Sequence, residues 1–206
     1  MTQEHVWGGV SHVRSSETAA KRSGGAPRHC WNCGAPLQAL PPTQCSSCGQ
    51  HHYVNPKPCG EAVVVHEEHI LLVQRAHAPW RGRWDIPGGF CEGDEHPMHA
   101  AERELLEEVG LRARAEVYLG TWMDSYGPAA ADGLQEHTAN SAYLMRTLDS
   151  GPALRQQVDE IAAIQWFPLA GLPADLAFPQ HVPRALEVAA LVSGQRSFTK
   201  LYDRTW

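Results

Sequence analysis

The spacing of apolar residues changes period several times along the chain, and each change marks an element. Glu61 to His66 and Ile70 to Arg75 are near-continuous apolar, branched runs split by Glu67-Glu68-His69. Two such runs around a short polar turn predict a β-hairpin, and the lack of alternation predicts strands buried on both faces. The period then becomes helical. At roughly 100° per residue, Met98, Ala101, Leu105 and Val109 form one apolar stripe. Pro97 suits a first helical turn and Gly110 the position just past a helix end, which predicts a helix over 97–109. Beyond it, Arg114 to Thr121, Thr138 to Arg146 and Ile161 to Phe167 read as strands, and residues 182–192 as a helix packed on the sheet. Tyr53-Val54-Asn55-Pro56-Lys57-Pro58 reads as a stiff connector. Strands interleaved with helices predict an α/β fold.

The polar residues of the first helix change the picture. Glu104, Glu107 and Glu108 fall within an arc of about 100° beside the apolar stripe. A solvated acidic face is the plain alternative, but like charges at i,i+3 and i,i+4 cost a few tenths of a kcal/mol per pair. No lysine stands among them, and Arg103 precedes Glu107 by four, the weaker order for a helical ion pair. A hard divalent cation such as Mg²⁺ would relieve the repulsion, since it takes carboxylate oxygens and completes its shell with waters and substrate phosphates.

Gly89, five residues, Glu95, seven residues, then Arg103-Glu104-Leu105-x-Glu107-Glu108-x-Gly110-Leu111 resembles the Nudix box at every specified position. The resemblance implies a Nudix hydrolase with an α/β/α sandwich around a mixed β-sheet. It implies Mg²⁺- or Mn²⁺-dependent cleavage of a nucleoside diphosphate linked to another group X. Glu104, Glu107 and Glu108 match the metal carboxylates, the Gly88 carbonyl a further ligand, Arg103 the residue that orients them, and Glu95 a loop carboxylate near the metals.

Four of the six cysteines form Cys30-x-x-Cys33 and Cys45-x-x-Cys48, two knuckles eleven residues apart. That is the layout of a four-thiolate Zn²⁺ site, with disulfides as the alternative. Leu37, Leu40 and Pro41-Pro42 lie between them, too little for a core, so the metal would supply the folding energy. The expected division is a leader over 1–28, a zinc ribbon over 29–52 and a Nudix domain over 53–206, ending in a basic-aromatic tail over 194–206. Zinc-ribbon Nudix enzymes, including NADH and flavin dinucleotide pyrophosphatases, have a similar ribbon and Asn-Pro connector. The Ser-Gln-Pro-Trp stretch of the NADH pyrophosphatase group is absent; residues 112–122 read Arg-Ala-Arg-Ala-Glu-Val-Tyr-Leu-Gly-Thr-Trp.

Two segments flank the box. Residues 75–84 carry Arg75, Arg81, Arg83, Trp80 and Trp84. They read either as a surface loop whose tryptophans cap the core or as a rim where arginine meets phosphate and tryptophan stacks on a base. After the box, Trp122, Tyr126 and Glu136 are candidates for substrate contacts, since Nudix enzymes often place them in this region. Glu136 and Glu160 are loop carboxylates, either solvated or acting as a general base.

The net charge of −6 carries no overall basic footprint for nucleic acid, although a local basic patch and RNA as the cleaved group stay open. No apolar run reaches the length of a membrane span and no apolar signal-peptide core begins the chain, so a cytoplasmic protein is expected. The expected partner is a small-molecule nucleotide, ADP-ribose first, then a related dinucleotide or nucleotide sugar. The alternatives are oxidised or non-standard nucleoside triphosphates and, in another class, a nucleotide-sensing Nudix domain that does not hydrolyse. The residues leave homodimerisation open.

Overall fold

A computed structural model describes residues 27–129, 135–148, 154, 156 and 159–194. Most of the expected leader (1–26), residues 130–134 of the loop after Tyr126, and the tail from 195 lie outside the described residues. The elements in order are β1 (Thr43–Gln44), β2 (His51–His52), β3 (Lys57–His66), β4 (His69–Arg75), β5 (Trp84–Asp85), β6 (Gly88–Phe90), α1 (Pro97–Val109), β7 (Ala113–Ser125), β8 (His137–Thr147), β9 (Ile161–Pro168) and α2 (Val182–Ser193). β1 and β2 form a small antiparallel sheet among the cysteines. The rest build a mixed sheet in the order β5-β4-β3-β8-β7, with β6 added to β3 and β9 to β4. β3 runs parallel to β8, and the other pairs are antiparallel.

The near-continuous apolar runs follow from burial on both sheet faces. Ala62, Val64, Leu71 and Val73 pack under α1 with Ala101, Leu105 and Val109. Val63, Ile70 and Leu72 point the other way, toward Val182, Ala185, Leu186 and Ala189 of α2. The result is a sheet between two helical layers. α1 begins and ends where expected: Pro97 opens it, His96 Nδ1 accepts the Met98 N–H at 3.1 Å, and Gly110 closes it at φ 76°.

Two strands are longer than their sequences suggest. Lys57 and Pro58, expected in the connector, already pair with Thr138 and Ala139 of β8. Trp122 to Ser125, expected in a loop, continue β7 because β8 offers partners as far as His137. Cross-strand pairing overrides local propensity in both places. The short β5 and β6 were not expected either; each takes its partner from a neighbouring long strand.

The sheet forks, and the fork makes the cleft. β3 and β4 pair only at Val65↔Ile70 and His66↔His69. Beyond these, β3 takes β6 as its neighbour over Cys59↔Phe90 to Glu61↔Gly88, while β4 takes β5 and β9. α1 lies close on β3 because residue 60 is glycine. A Cβ there would strike the Pro97 carbonyl and the Ala101 nitrogen.

Candidate active site

Helix α1 brings the box residues together with β6. Glu104 and Glu108 line the cleft, whereas Glu107 does not; its side chain is 52% exposed and hydrogen-bonds to Arg103 Nη1 at 3.0 Å. Arg103 is the hub of this wall. Its Nε and Nη2 hold Glu95 as a fork at 3.0 and 2.8 Å, Nη1 also donates to Glu104 at 2.8 Å, and Nη2 reaches the Phe90 carbonyl at 3.1 Å. Glu95 accepts the Glu92 N–H as well, which closes the loop before the helix. A Cβ on Gly89 would overlap the Glu104 carboxylate, so a larger residue there would push that side chain aside.

The electrostatics of this wall suit a cation. Burial raises the Glu104 carboxyl above its ordinary value, opposed by Arg103 and reinforced by Glu107 and Glu160. Glu108 is pushed up much further, first by burial and then by the charge of Glu104, with only the Gly88 N–H at 3.0 Å to offset it. Two half-stranded carboxylates beside a strand of glycine backbone are a donor set of hard oxygens, which fits Mg²⁺ or Mn²⁺.

The cleft holds about 430 Å³ and is also lined by Glu61, Asp85, Tyr126, Asn140 and Glu160. Among the residues expected at the substrate, Arg75 and Tyr126 line it, whereas Arg81, Arg83, Trp84, Trp122 and Glu136 do not. Arg75 is already engaged: it donates to Asp85 Oδ2 and the Pro79 carbonyl, both at 2.8 Å, and lies 4.9 Å from the centre of the Phe178 ring. Arg83 donates to the Leu176 carbonyl and lies over Trp80. Trp84 meets Phe167 edge-on at 4.8 Å, and Trp122 packs against the α2-side core. Glu136 pairs with Lys57 at 3.3 Å. Tyr126 stands beside Phe90 (5.2 Å) and Phe178 (6.1 Å), which gives the cleft an aromatic side. A larger groove, about 1200 Å³, lies around the β3–β4 turn and Trp166, and none of the α1 carboxylates lines it.

Behind Glu61, which lines the cleft, lie buried residues that sequence reasoning did not select. His181 is 1% exposed and caps α2; its Nε2 lies 2.6 Å from Glu61 Oε1 and its Nδ1 3.3 Å from Asp124 Oδ2. That same Asp124 oxygen accepts the backbone N–H groups of Gln180 and His181. Burial alone would lower the imidazole, but Glu61, Asp85 and Asp124 outweigh it and raise its pKa above 6.5. One signal was present in the sequence: Glu61 is an acidic residue opening a run of apolar residues buried on both faces.

The four cysteine sulfurs of the knuckles lie within 4.8 Å of one another, with Cys30–Cys48 at 3.6 Å and Cys33–Cys45 at 3.7 Å. A tetrahedral ion with bonds of about 2.3 Å needs sulfurs about 3.8 Å apart, so the cluster has the size of a Zn²⁺ site. The Gln50 backbone N–H, the Asn32 amide and Cys33 hold the Cys48 thiol down at about 6. Cys59 is buried in β3 and Cys91 stands at the cleft edge.

The NUDIX domain family profile matches residues 60–190. The chain belongs to the Nudix family. It is 30% identical over 149 residues to a NAD-capped RNA hydrolase NudC of Pseudomonas aeruginosa, covering 71% of this chain and 49% of that protein. It is 33% identical over 70 residues to an ADP-ribose pyrophosphatase of Methanocaldococcus jannaschii, covering 34% of this chain and 41% of that one. The chain thus spans about half the length, or less, of these curated relatives. A crystal structure of a NUDIX hydrolase from Nitrosomonas europaea superposes with a TM-score of 0.63 at 26% identity, covering 84% of this chain and 96% of that one. The Nudix fold with its mixed sheet is therefore shown. No helix among the described residues is long and apolar enough to cross a membrane.

Proposed function

We propose that this chain is a metal-dependent pyrophosphohydrolase of nucleoside diphosphates linked to X, with ADP-ribose its best-fitting substrate. One observation carries the reading: Glu104 and Glu108 converge on one cleft with their carboxyls raised by burial and by neighbouring carboxylates. Bound Mg²⁺ or Mn²⁺ would supply an activated water and neutralise phosphoryl oxygens. Glu104 and Glu108 would hold the ions with the Gly88 carbonyl, and Glu107 would turn inward from its Arg103 contact to complete the set. Arg103 keeps these carboxylates in place, with Glu95 fixing its guanidinium. Glu160 lines the same cleft and would accept the proton from water. Tyr126 and Phe90 offer a face to a base. The ADP-ribose pyrophosphatase among the relatives supports the choice of X.

The NudC relative favours a second substrate, a dinucleotide at an RNA 5′ end. RNA contacts predict a steep loss of affinity between low and moderate salt, and a flat response removes this reading. Cys30, Cys33, Cys45 and Cys48 are proposed to hold one Zn²⁺ that folds residues 29–52. The domain division into leader, ribbon and Nudix domain, and a cytoplasmic location, belong to the same proposal.

The deciding experiment offers ADP-ribose, NADH, flavin dinucleotide, nucleotide sugars and oxidised triphosphates with Mg²⁺ or Mn²⁺ and identifies the products. AMP from ADP-ribose supports the reading; inorganic pyrophosphate from triphosphates alone replaces it with the alternative. Glu108→Gln should cost orders of magnitude in kcat with the thermal midpoint near wild type. Binding of ADP-ribose with no turnover of any compound would favour the sensing alternative.

A further inference from the structure

Glu61 is a cleft carboxylate to which the reaction scheme gives no task. Glu61 is 6% exposed, yet it lines the cleft beside Gly88, with which it is paired across β3 and β6. Its Oε1 is anchored on His181 Nε2 at 2.6 Å. Its Oε2 is buried and has no hydrogen-bond partner among the described residues. An acceptor stranded in this way is costly, and the fold sets His181 and Asp124 to hold the other oxygen of the same group. A buried acceptor kept fixed and without a partner beside the reaction centre is suited to receive a donor.

The surroundings decide the kind of donor. Asp85, Glu104 and Glu108 line the same cleft, and its two arginines are taken up, Arg75 by Asp85 and Arg103 by Glu95, Glu104 and Glu107. A phosphate oxygen brought directly to Glu61 would therefore meet mainly carboxylates. His181 Nε2 already sits 2.6 Å from the other oxygen of Glu61, so the carboxylate has a partner without a metal. The adjoining wall is aromatic: Phe178 lies 5.2 Å from the His181 ring and stacks on Tyr126 at 20°. An aromatic wall next to a carboxylate oxygen complements a flat or weakly polar group that carries an N–H or O–H.

We propose that Glu61 is a specificity-determining residue of the cleft: its Oε2 accepts a hydrogen bond from the base amino group or a ribose hydroxyl of the substrate nucleoside. His181 and Asp124 are the positioning residues that hold it. This assignment rests on the nucleoside diphosphate reading above.

The test uses the full chain with Mg²⁺ and compares ADP-ribose with its purine-riboside (6-deamino), 2′-deoxyadenosine and 3′-deoxyadenosine counterparts, each lacking one donor group. Glu61→Leu removes the acceptor; the near-isosteric Glu61→Gln serves if the leucine variant fails to fold. Glu61→Leu should raise KM for ADP-ribose about 10- to 100-fold, the range of a hydrogen bond to a charged group, with kcat within about threefold. Glu61→Gln, which keeps an amide oxygen, should raise it less. One counterpart should be penalised by a similar factor in the wild type, and that penalty should vanish in the variant. A collapse of kcat with a raised Mg²⁺ requirement would make Glu61 a metal ligand and overturn the proposal. Unchanged KM, or penalties identical in wild type and variant for all three counterparts, would overturn it too. If the wild type turns over none of the four compounds, the functional reading itself falls and takes this one with it. Wild-type turnover with unaffected variants sinks only the assignment of Glu61.

Discussion

Two acidic clusters wall the cleft, with similar charge and opposite construction. On the α1 side, Glu95, Glu104 and Glu107 share one guanidinium, that of Arg103, whose side chain is 24% exposed. On the α2 side, Glu61 and Asp124 share one imidazole, that of His181, at 1%. The first comes from one loop and one helix and stays in contact with water; the second joins β3, β7 and the start of α2 and is sealed. Surface ion pairs contribute about 0–1 kcal/mol each, whereas removing one partner of a buried pair costs about 3–5 kcal/mol. The α1 cluster is therefore built to be rearranged by a ligand, and the α2 cluster to hold a shape.

The largest expected effect breaks that contrast on the buried side. His181→Ala leaves Glu61 and Asp124 facing each other in the interior and should lower the unfolding free energy by about 3–5 kcal/mol at pH 8, read by urea denaturation. At pH 5, below the unfolded value of His181, the contribution of the imidazole is fully present, so the loss should be at least as large there. A loss under about 1 kcal/mol at both pH values would mean that the sealed cluster holds nothing together.

Arg103→Lys breaks it on the exposed side. Lysine keeps the charge but cannot offer a planar fork to Glu95 while reaching Glu104 and Glu107. Misplacing catalytic groups by about 1 Å costs about 10²-fold, so kcat/KM should fall by about that factor while the thermal midpoint moves little. A large drop in midpoint with activity retained would reverse the roles of the two clusters.

The same contrast explains what could be read from the chain. Glu104, Glu107 and Glu108 lie within one helix, where helical geometry alone groups them on one face, and Arg103 and Glu95 were matched through the resemblance to the Nudix box. The two-sided burial of β3 and β4 was legible for a similar local reason, as their apolar runs do not alternate. His181 and Glu61 are 120 positions apart and Asp124 is 57 from His181, so only the completed sheet and the docking of α2 bring them together. Trp84, left open between capping the core and stacking on a base, and Trp122, a candidate substrate contact, show the converse: tertiary packing sets both rings against the core.

A third prediction sharpens the contrast through pH. Glu104 and Glu108 have folded values above 4.5, and His181 above 6.5. A group raised on folding stabilises the folded state below its unfolded value, and that contribution is lost as pH rises through the folded value. Without divalent cation, stability should therefore fall as pH rises from about 4.5 through neutrality. Added Mg²⁺ should recover the α1 share only, because a ligand of the folded state stabilises by mass action. The Mg²⁺-induced shift in thermal midpoint should be larger at pH 8 than at pH 5, and Glu108→Gln should flatten that difference. Equal shifts at both pH values would place the cation away from these carboxylates.

The smallest expected effect lies at the rim, where Lys57 pairs with Glu136 at 3.3 Å and stands 5.3 and 5.9 Å from the ring centres of Phe90 and Tyr126. This is an opposite-charge pair like His181–Glu61, but with side chains 48% and 28% exposed. Water should screen most of its attraction. A double-mutant cycle with Lys57→Met and Glu136→Gln should give a coupling under about 1 kcal/mol that fades at 1 M salt. Coupling above about 2 kcal/mol, or coupling indifferent to salt, would show that burial is not what separates the strong cluster from the weak one. The proximity of Lys57 to the two rings adds a second readout. If they seat a base, filling the cleft with ADP-ribose should change this coupling, whereas the sealed His181 cluster should keep its own.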